Sequence, residues 1–200
     1  MTTQVLRLDT SLFGDQGASS QLSDTLIEHL QASHGELSVT RRNLAVDSLP
    51  YFGMEVITAL ATDPVALSGA QRALVALADQ LIEEVQNADI LVVAAPMYNF
   101  TVPSTLKTWM DYVARAGVTF KYTETGVVGL LGAKKVYVVA SRGGIHRDAP
   151  SDAVVPLLRN YFALLGTDID VIYAEGLNMG DEPRARGFAA ARERIKVLAA

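Results

Sequence analysis

The residues best suited to chemistry in this chain follow a run of apolar residues. Ile90 to Ala94 are all apolar, and Pro96 comes shortly after them. Such a run is typical of a strand buried on both faces of a parallel sheet, and proline, which has no backbone donor, favours the end of a strand. The next residues are Met97-Tyr98-Asn99-Phe100. A sulfur atom, two aromatic rings and an amide at a strand end suit a flat heterocycle with polar edges.

A second segment, Thr10 to Ser19, also follows a strand-like run and combines glycines with the hydroxyls of Ser11 and Ser19. It matches neither a Gly-x-Gly-x-x-Gly fingerprint nor a P-loop, and it contains no lysine. Hydroxyls and a helix N-terminus can bind a terminal phosphate through neutral hydrogen bonds and the helix dipole. The alternative is that Ser19 only caps its helix, as such serines often do.

A third segment, Ser141-Arg142-Gly143-Gly144, places two adjacent glycines after a strand. Glycine allows a backbone to approach a ring edge closely, although an ordinary turn has the same composition. His146 follows, and a lone histidine past a turn is more typical of a surface or supporting group than of a catalytic acid. No spacing of His, Asp or Glu resembles a metal site, so we expect none.

Strand-like and helix-like segments alternate along the chain, which is typical of a parallel sheet covered by helices. We expect one domain over residues 1–200, with the α/β fold of a three-layer sandwich. Its five parallel strands take the flavodoxin-like order 2-1-3-4-5, because only the second strand alternates like an edge strand. That order brings the three segments to one crevice. The predicted strands are Val5–Leu8, Glu36–Arg42, Ile90–Ala94, Val136–Ala140 and Ile169–Ala174.

Several helix boundaries are also predicted. Ser19 or Ser20 is expected to cap the first helix, and Ser68 with Gln71 forms a capping box for a later one. A helix from about Ser151 to Leu165 contains Pro156, which marks either a kink or a later start. Gly117 to Gly126 is predicted to be a long aromatic-bearing loop.

Composition excludes several classes of function. The 200 residues are 50% hydrophobic, carry a net charge of −5 and include no cysteine. This charge argues against a nucleic-acid partner, and the lack of cysteine excludes thiol chemistry and disulfides. No apolar run approaches the roughly 20 residues that span a bilayer. Arg7 and Asp9 interrupt the first apolar segment, so we expect no signal peptide, no membrane partner and a cytoplasmic location.

Three separated motifs together resemble the FMN-dependent NADH:quinone oxidoreductase/azoreductase family. They are Ala95 to Phe100, Ala114 to Thr123 and Ser141 to His146, and the similarity extends over essentially the whole chain. The resemblance implies a flavodoxin-like homodimer with FMN at the subunit interface. It further implies phosphate binding by Ser11, Gly17, Ala18 and Ser19, ring contacts by Met97, Tyr98, Asn99 and Phe100, and pyrimidine-edge contacts by Ser141, Arg142, Gly143 and Gly144. Phe120 and Tyr122 would border the substrate pocket.

One position departs from the family pattern. The family's phosphate loop usually reads Ser-x-Ser, and Gly17 stands where the first serine is expected. Gly17 can offer only its backbone amide there. A missing neutral hydrogen bond costs about 0.5–1.5 kcal/mol, so we expect weaker FMN binding and not its loss.

The function that this resemblance implies is the reduction of quinones and azo compounds by NADH or NADPH in a ping-pong reaction. The flavin N5 carries the chemistry, so no catalytic side chain is expected. Three alternatives stay open at this point: a flavodoxin-like electron carrier, an NADPH-dependent reductase of free flavin, and a nucleotide-binding regulator without flavin.

Overall fold

The computed structural model describes residues 2–199 of the chain. Within that range it has seven strands, β1 (Thr3–Asp9), β2 (Leu37–Asn43), β3 (Ile90–Pro96), β4 (Phe120–Thr123), β5 (Gly126–Gly129), β6 (Lys135–Ser141) and β7 (Ile169–Ala174). Its six α-helices are α1 (Ala18–His34), α2 (Met54–Ala61), α3 (Gly69–Asn87), α4 (Ser104–Val113), α5 (Val154–Leu164) and α6 (Asp181–Leu198).

Five strands form one parallel sheet in the order β2-β1-β3-β6-β7. The predicted order 2-1-3-4-5 is therefore confirmed, with β6 and β7 as the fourth and fifth strands. Strand β3 lies at the centre and all seven of its residues are buried. Pro96 is its last residue and lies in register with Ser141 of β6. Proline has no backbone N–H to donate to the sheet, which is consistent with the strand ending at this residue.

Helices cover both faces of the sheet and create two separate cores. Helices α1 and α6 pack on one face, where Leu26 of α1 and Ile195 of α6 are fully buried. Helices α3, α4 and α5 cover the other face, where Trp109 and Phe162 are among the largest buried side chains. A sheet buried on both sides explains why its central strands are continuous apolar runs.

The first helix begins differently from the prediction. Helix α1 starts at Ala18 and its N-cap residue is Gly17, whose extended backbone has no side chain to cap the helix. Ser19 and Ser20 lie inside the first turn and are fully buried, so neither is the N-cap. The expectation of a serine cap was wrong, and the hydroxyl of Ser19 is left for another purpose.

The segment from Gly117 to Gly126, predicted to be a loop, is largely a hairpin. Strands β4 and β5 pair antiparallel from Phe120 opposite Gly129 to Thr123 opposite Gly126. Phe120 is buried and anchors this hairpin, whereas Tyr122 is exposed. No alternation of apolar and polar residues marks this hairpin in the sequence, because three of the four β5 residues are exposed and the fourth is half-buried.

Other boundaries agree with the sequence. Ser68 and Gln71 form the predicted capping box of α3, with both reciprocal hydrogen bonds present. Helix α5 begins at Val154, so Pro156 lies in its first turn and marks a later start, not a kink. No helix within residues 2–199 is long and apolar enough to cross a membrane.

Candidate functional site at the carboxyl edge of the sheet

The three polar segments meet at the carboxyl edge of the sheet, where β1, β3 and β6 end. The Thr10 hydroxyl donates to the Ala94 carbonyl at 2.6 Å, which ties the end of β1 to β3. The Met97 amide donates to the Ser141 carbonyl at 2.9 Å, which ties the second segment to the third. The predicted convergence of the three segments is thus present. We call them the first loop (10–19), the second loop (97–101) and the third loop (141–146).

The first loop is built around a close approach between Ser11 and Gly17. A Cβ atom on Gly17 would lie 2.2 Å from Ser11 Oγ, so any side chain at this position collides with Ser11. Ser11 Oγ accepts a hydrogen bond from the Phe13 amide at 3.2 Å and lies 3.5 Å from the Tyr98 hydroxyl. Glycine at position 17 is therefore a steric requirement of this loop.

The N-terminus of α1 offers unused hydrogen-bonding groups at the same place. The first amides of a helix have no partner within the helix, and Gly17 has no side chain to satisfy one. Ser19 Oγ is buried and has no hydrogen-bond partner among the residues that the structure describes. Free amides, a buried hydroxyl and the positive end of a 17-residue helix form a cradle for an anion.

An ion-pair network fixes the first loop to the strands. Arg7 is buried and contacts Asp9 at 3.0 Å and Asp24 on α1. Arg41 on β2 pairs with both Asp9 and Asp15 of the first loop. The hydrogen bond and the charge of Arg41 lower the pKa of Asp15 below its ordinary value. The carboxylates of Asp15 and Asp9 in turn raise the pKa of Arg41. Both shifts favour the charged forms that make the ion pair.

The second loop is a tight turn with unusual backbone angles. Tyr98 and Thr101 exchange backbone hydrogen bonds at 3.0 and 3.2 Å, and between them Asn99 and Phe100 have φ values of +48° and +69°. Positive φ is uncommon for a bulky residue and often accompanies functional sites. The turn leaves Phe100 58% exposed, and the centre of its ring lies 5.8 Å from the centre of the His146 ring, with the two rings nearly perpendicular. The Tyr98 hydroxyl accepts from the Leu12 amide at 3.1 Å.

The third loop divides the predicted residues into two groups. The backbone of Gly143 and Gly144 is half-buried at the crevice, and their amides have no acceptor within residues 2–199. Arg142, by contrast, turns away, because its side chain is fully buried against Asp152 and Glu175. A Cβ on Gly144 would lie 2.8 Å from His146 Nε2.

Two apolar residues at this edge were not predicted from the sequence to belong to the site. Leu12 and Phe13 are 70% and 71% exposed, and they line a cavity of about 870 Å³ together with Met97, Tyr98, Pro103 and Leu157. The signal was present in the sequence, since two large apolar residues stand beside a glycine in a loop that follows a strand. The predicted pocket residues Phe120 and Tyr122 do not line this cavity. Their rings contact each other at 5.5 Å on the hairpin.

Comparison with known proteins bears on this site. A family model described as Flavodoxin-like fold matches residues 3–198. The FMN-dependent NADH:quinone oxidoreductase of Vibrio parahaemolyticus is 48% identical over 199 residues, covering 98% of this chain and all of that protein. The chain belongs to the FMN-dependent NADH:quinone oxidoreductase family. The member from Saccharophagus degradans is 46% identical, over 97% of this chain and 92% of its own length.

A solved structure extends the family likeness to three dimensions. The azoreductase from Bacillus anthracis str. Sterne superposes on this chain with a TM-score of 0.88 at 28% identity, covering 99% of both chains. The resemblance inferred from the three motifs is confirmed for this member of the FMN-dependent NADH:quinone oxidoreductase family. The roles of individual residues at the crevice stay predictions.

Proposed function

We propose that this protein is an FMN-dependent NADH:quinone oxidoreductase that also reduces azo compounds. The observation that carries this proposal is the anion cradle at the N-terminus of α1, placed beside a crevice between two further loops at the carboxyl edge of the sheet. A phosphate-bearing flat cofactor needs both parts, and the family named above uses FMN. The names of the relatives favour NADH over NADPH as the electron donor.

The residues present fit the phosphate of FMN. The amides at the start of α1 would donate to it, as would the buried hydroxyl of Ser19, which has no other partner. Ser11 would support this loop and Gly17 would let the phosphate approach the backbone. No lysine or arginine side chain is required, because the helix dipole and neutral donors supply the attraction.

The second and third loops would hold the isoalloxazine ring. Met97 to Phe100 would lie along the ring, and the free amides of Gly143 and Gly144 would donate to its pyrimidine edge. Ser141 is buried at the end of β6 and Arg142 would act through its backbone, since its side chain is engaged with Asp152 and Glu175. Amides aimed at this edge stabilise negative charge where it collects on reduction.

FMN, when bound, supplies the two-electron chemistry by accepting a hydride from the nicotinamide and passing reducing equivalents to a quinone or azo compound. The protein aligns donor and acceptor in turn at the same face, which predicts ping-pong kinetics. The exposed rings of Phe100 on the second loop and Phe13 on the first would offer apolar contacts for planar substrates. No acid or base side chain is assigned, because solvent can provide the protons.

We also propose that two copies of the chain form a homodimer. Leu12 and Phe13 are large apolar residues that line one cavity and are 70% and 71% exposed, and an exposed apolar pair of this kind favours a covered interface. An interface covering them would close the apolar side of the crevice. Light scattering after gel filtration should give twice the chain mass, and a monomer at working concentration would contradict this part of the proposal.

NADH is a metabolite of the cytoplasm, and we propose that the protein acts there.

Anaerobic rapid mixing tests the activity. The purified yellow protein mixed with NADH should lose its flavin absorbance, and a second mix with a quinone or an azo dye should restore it. Slow or absent bleaching by NADH would favour an electron carrier instead. Loss of FMN during gel filtration would favour a reductase of free flavin, and a protein that binds no flavin would revive the nucleotide-binding regulator.

A further inference from the structure

Glu175 lies directly after β7 and gathers three hydrogen bonds on one oxygen. Its Oε1 atom accepts from the His146 amide at 2.7 Å, from the Arg147 amide at 2.8 Å and from Arg142 Nη1 at 3.3 Å. The side chain is only 16% exposed. A single carboxylate oxygen therefore holds the end of the third loop at two consecutive backbone amides.

The residues after Glu175 hold the same loop from the other side. The Gly176 amide donates to the Gly144 carbonyl at 2.9 Å, and the Asn178 amide donates to the Gly143 carbonyl at 3.0 Å. A Cβ on Gly143 would lie 2.7 Å from Asn178 Nδ2, which shows how closely the two segments pack. Both carbonyls are engaged there, and the Gly143 and Gly144 amides are left without an acceptor among residues 2–199.

A buried arginine fixes the position of the Glu175 carboxylate. Arg142 makes two hydrogen bonds to Asp152, at 3.0 and 2.7 Å, and its guanidinium lies 5.0 Å from the centre of the Tyr173 ring. Arg147 stacks on the same ring at 4.8 Å. Because the Arg142 side chain is fully buried, its charge requires a nearby carboxylate, and Asp152 provides one through these two hydrogen bonds. Glu175 adds a longer contact at 3.3 Å.

We propose that Glu175 is a positioning residue for the cofactor, which sets the shape of the Gly143–Gly144 turn through the His146 and Arg147 amides without touching the cofactor. This inference rests on the proposed function, because that turn is the part of the crevice assigned to the ring edge. A turn fixed before binding has less conformational entropy to lose when the ligand arrives. Moving the acceptor oxygen should therefore loosen the turn and weaken FMN binding.

Two conservative variants separate the position of the oxygen from its charge. Glu175→Asp keeps the charge and withdraws the carboxylate by one methylene, away from the two amides. Glu175→Gln removes the charge and keeps an acceptor oxygen at the original reach. Glu193→Ala is the matched control, because it removes an exposed carboxylate whose ion pair is with Lys196 on α6 and not with the third loop.

The first measurement is the dissociation constant of FMN, from quenching of flavin fluorescence in protein stripped of cofactor. Glu175→Asp should raise it about tenfold, the equivalent of one to two hydrogen bonds. Glu175→Gln should stay within about threefold of the parent, as should the control. Equal affinity in Glu175→Asp and the parent would overturn the proposal. So would an equal loss in both variants, because charge and not placement would then matter.

The second measurement is amide hydrogen exchange of the cofactor-free protein over residues 142–148. The His146 and Arg147 amides should exchange about tenfold faster in Glu175→Asp than in the parent, since a hydrogen-bonded amide must open before it exchanges. Unchanged exchange would overturn the proposal. This measurement needs no FMN, so it tests the positioning role of Glu175 separately from the proposed function. A parent protein that binds no FMN would contradict only the proposed function.

Discussion

Two glycines of the crevice leave no room for a side chain at their positions. Gly17 has Ser11 Oγ where its Cβ would lie, and Gly144 has the ring of His146 there. That ring is held by a 2.9 Å contact between His146 Nδ1 and the Ser151 hydroxyl, and by the edge of Phe100. Substitutions at these glycines therefore disturb the crevice directly and the rest of the fold little.

Gly144→Val should abolish FMN binding while the protein stays folded. The new side chain would displace His146 and fill the space beside the turn, which lies at the surface of the crevice and not in a core. The control is Gly69→Val, because Gly69 has open space around its Cβ position. Circular dichroism and a flavin titration measure the two effects, and a yellow, FMN-saturated Gly144→Val protein would disprove this assignment.

Gly17→Ser should weaken FMN binding, although the family pattern has serine there. The added Cβ would lie 2.7 Å from Ser11 Cβ as well as 2.2 Å from its Oγ, and such overpacking costs about 1–3 kcal/mol. The double variant Ser11→Gly/Gly17→Ser removes the obstruction and should recover part of the affinity. Flavin titration of both, beside Gly69→Ser as control, decides this. Tighter binding by the single variant would show that Ser11 moves aside freely.

Among the secondary-structure elements, all five strands of the parallel sheet were predicted from the sequence. The two strands outside it, β4 and β5, were not. Strand β3 is recognisable because both of its faces are covered, and the capping box of α3 is a local signal. The hairpin of β4 and β5 depends on distant contacts: the Leu131 amide donates to the Leu165 carbonyl at 3.2 Å, beyond the end of α5. No periodicity in β5 could reveal that contact.

Gly129→Ala should destabilise the protein by about 2 kcal/mol or more, because its Cβ would lie 2.0 Å from the Gly166 backbone nitrogen. Backbone cannot move aside as a side-chain end can, so the hairpin would separate from the end of α5. Urea denaturation measures the loss. Val128→Ala is the control in the same strand, where a side chain 42% exposed should lose under about 1 kcal/mol. Equal losses in the two variants would show that the hairpin tolerates displacement.

For the whole molecule, the sheet topology could be predicted from the sequence, but the ion pairs and hydrogen bonds that join distant segments could not. Alternating strands and helices allow few arrangements, and one of them brings the three loops together. The family resemblance implied that Arg142 contacts the pyrimidine edge, and its side chain is buried with Asp152 and Glu175, which leaves its backbone for such a contact. Residues that are 10 and 33 positions apart in the chain leave no local pattern to detect.

The stability of the whole fold should fall in alkaline solution. Burial raises the pKa of Tyr161 well above 10, and burial also raises the pKa of Tyr112, Tyr137 and Tyr173. A raised pKa means that the folded state keeps the proton while the unfolded chain releases it. The contribution is therefore complete below about pH 10 and is lost as the pH rises above it.

Urea denaturation at several pH values from about 8 to about 11 checks this expectation. Each such tyrosine adds at most about 1.4 kcal/mol of loss per pH unit. Tyr161→Phe, which removes the buried hydroxyl that donates to the Met110 carbonyl at 3.0 Å, should make the fall shallower. A free energy of unfolding that stays flat to pH 11 would contradict the argument.

If FMN binds where β1, β3 and β6 end, a crystal structure of the protein determined after soaking with FMN will show it there. We expect the phosphate at the N-terminus of α1 beside Ser19, and the ring between the second loop and the Gly143–Gly144 turn. FMN elsewhere, such as in the groove of about 790 Å³ along β7, or no FMN at all in that crevice, would contradict it.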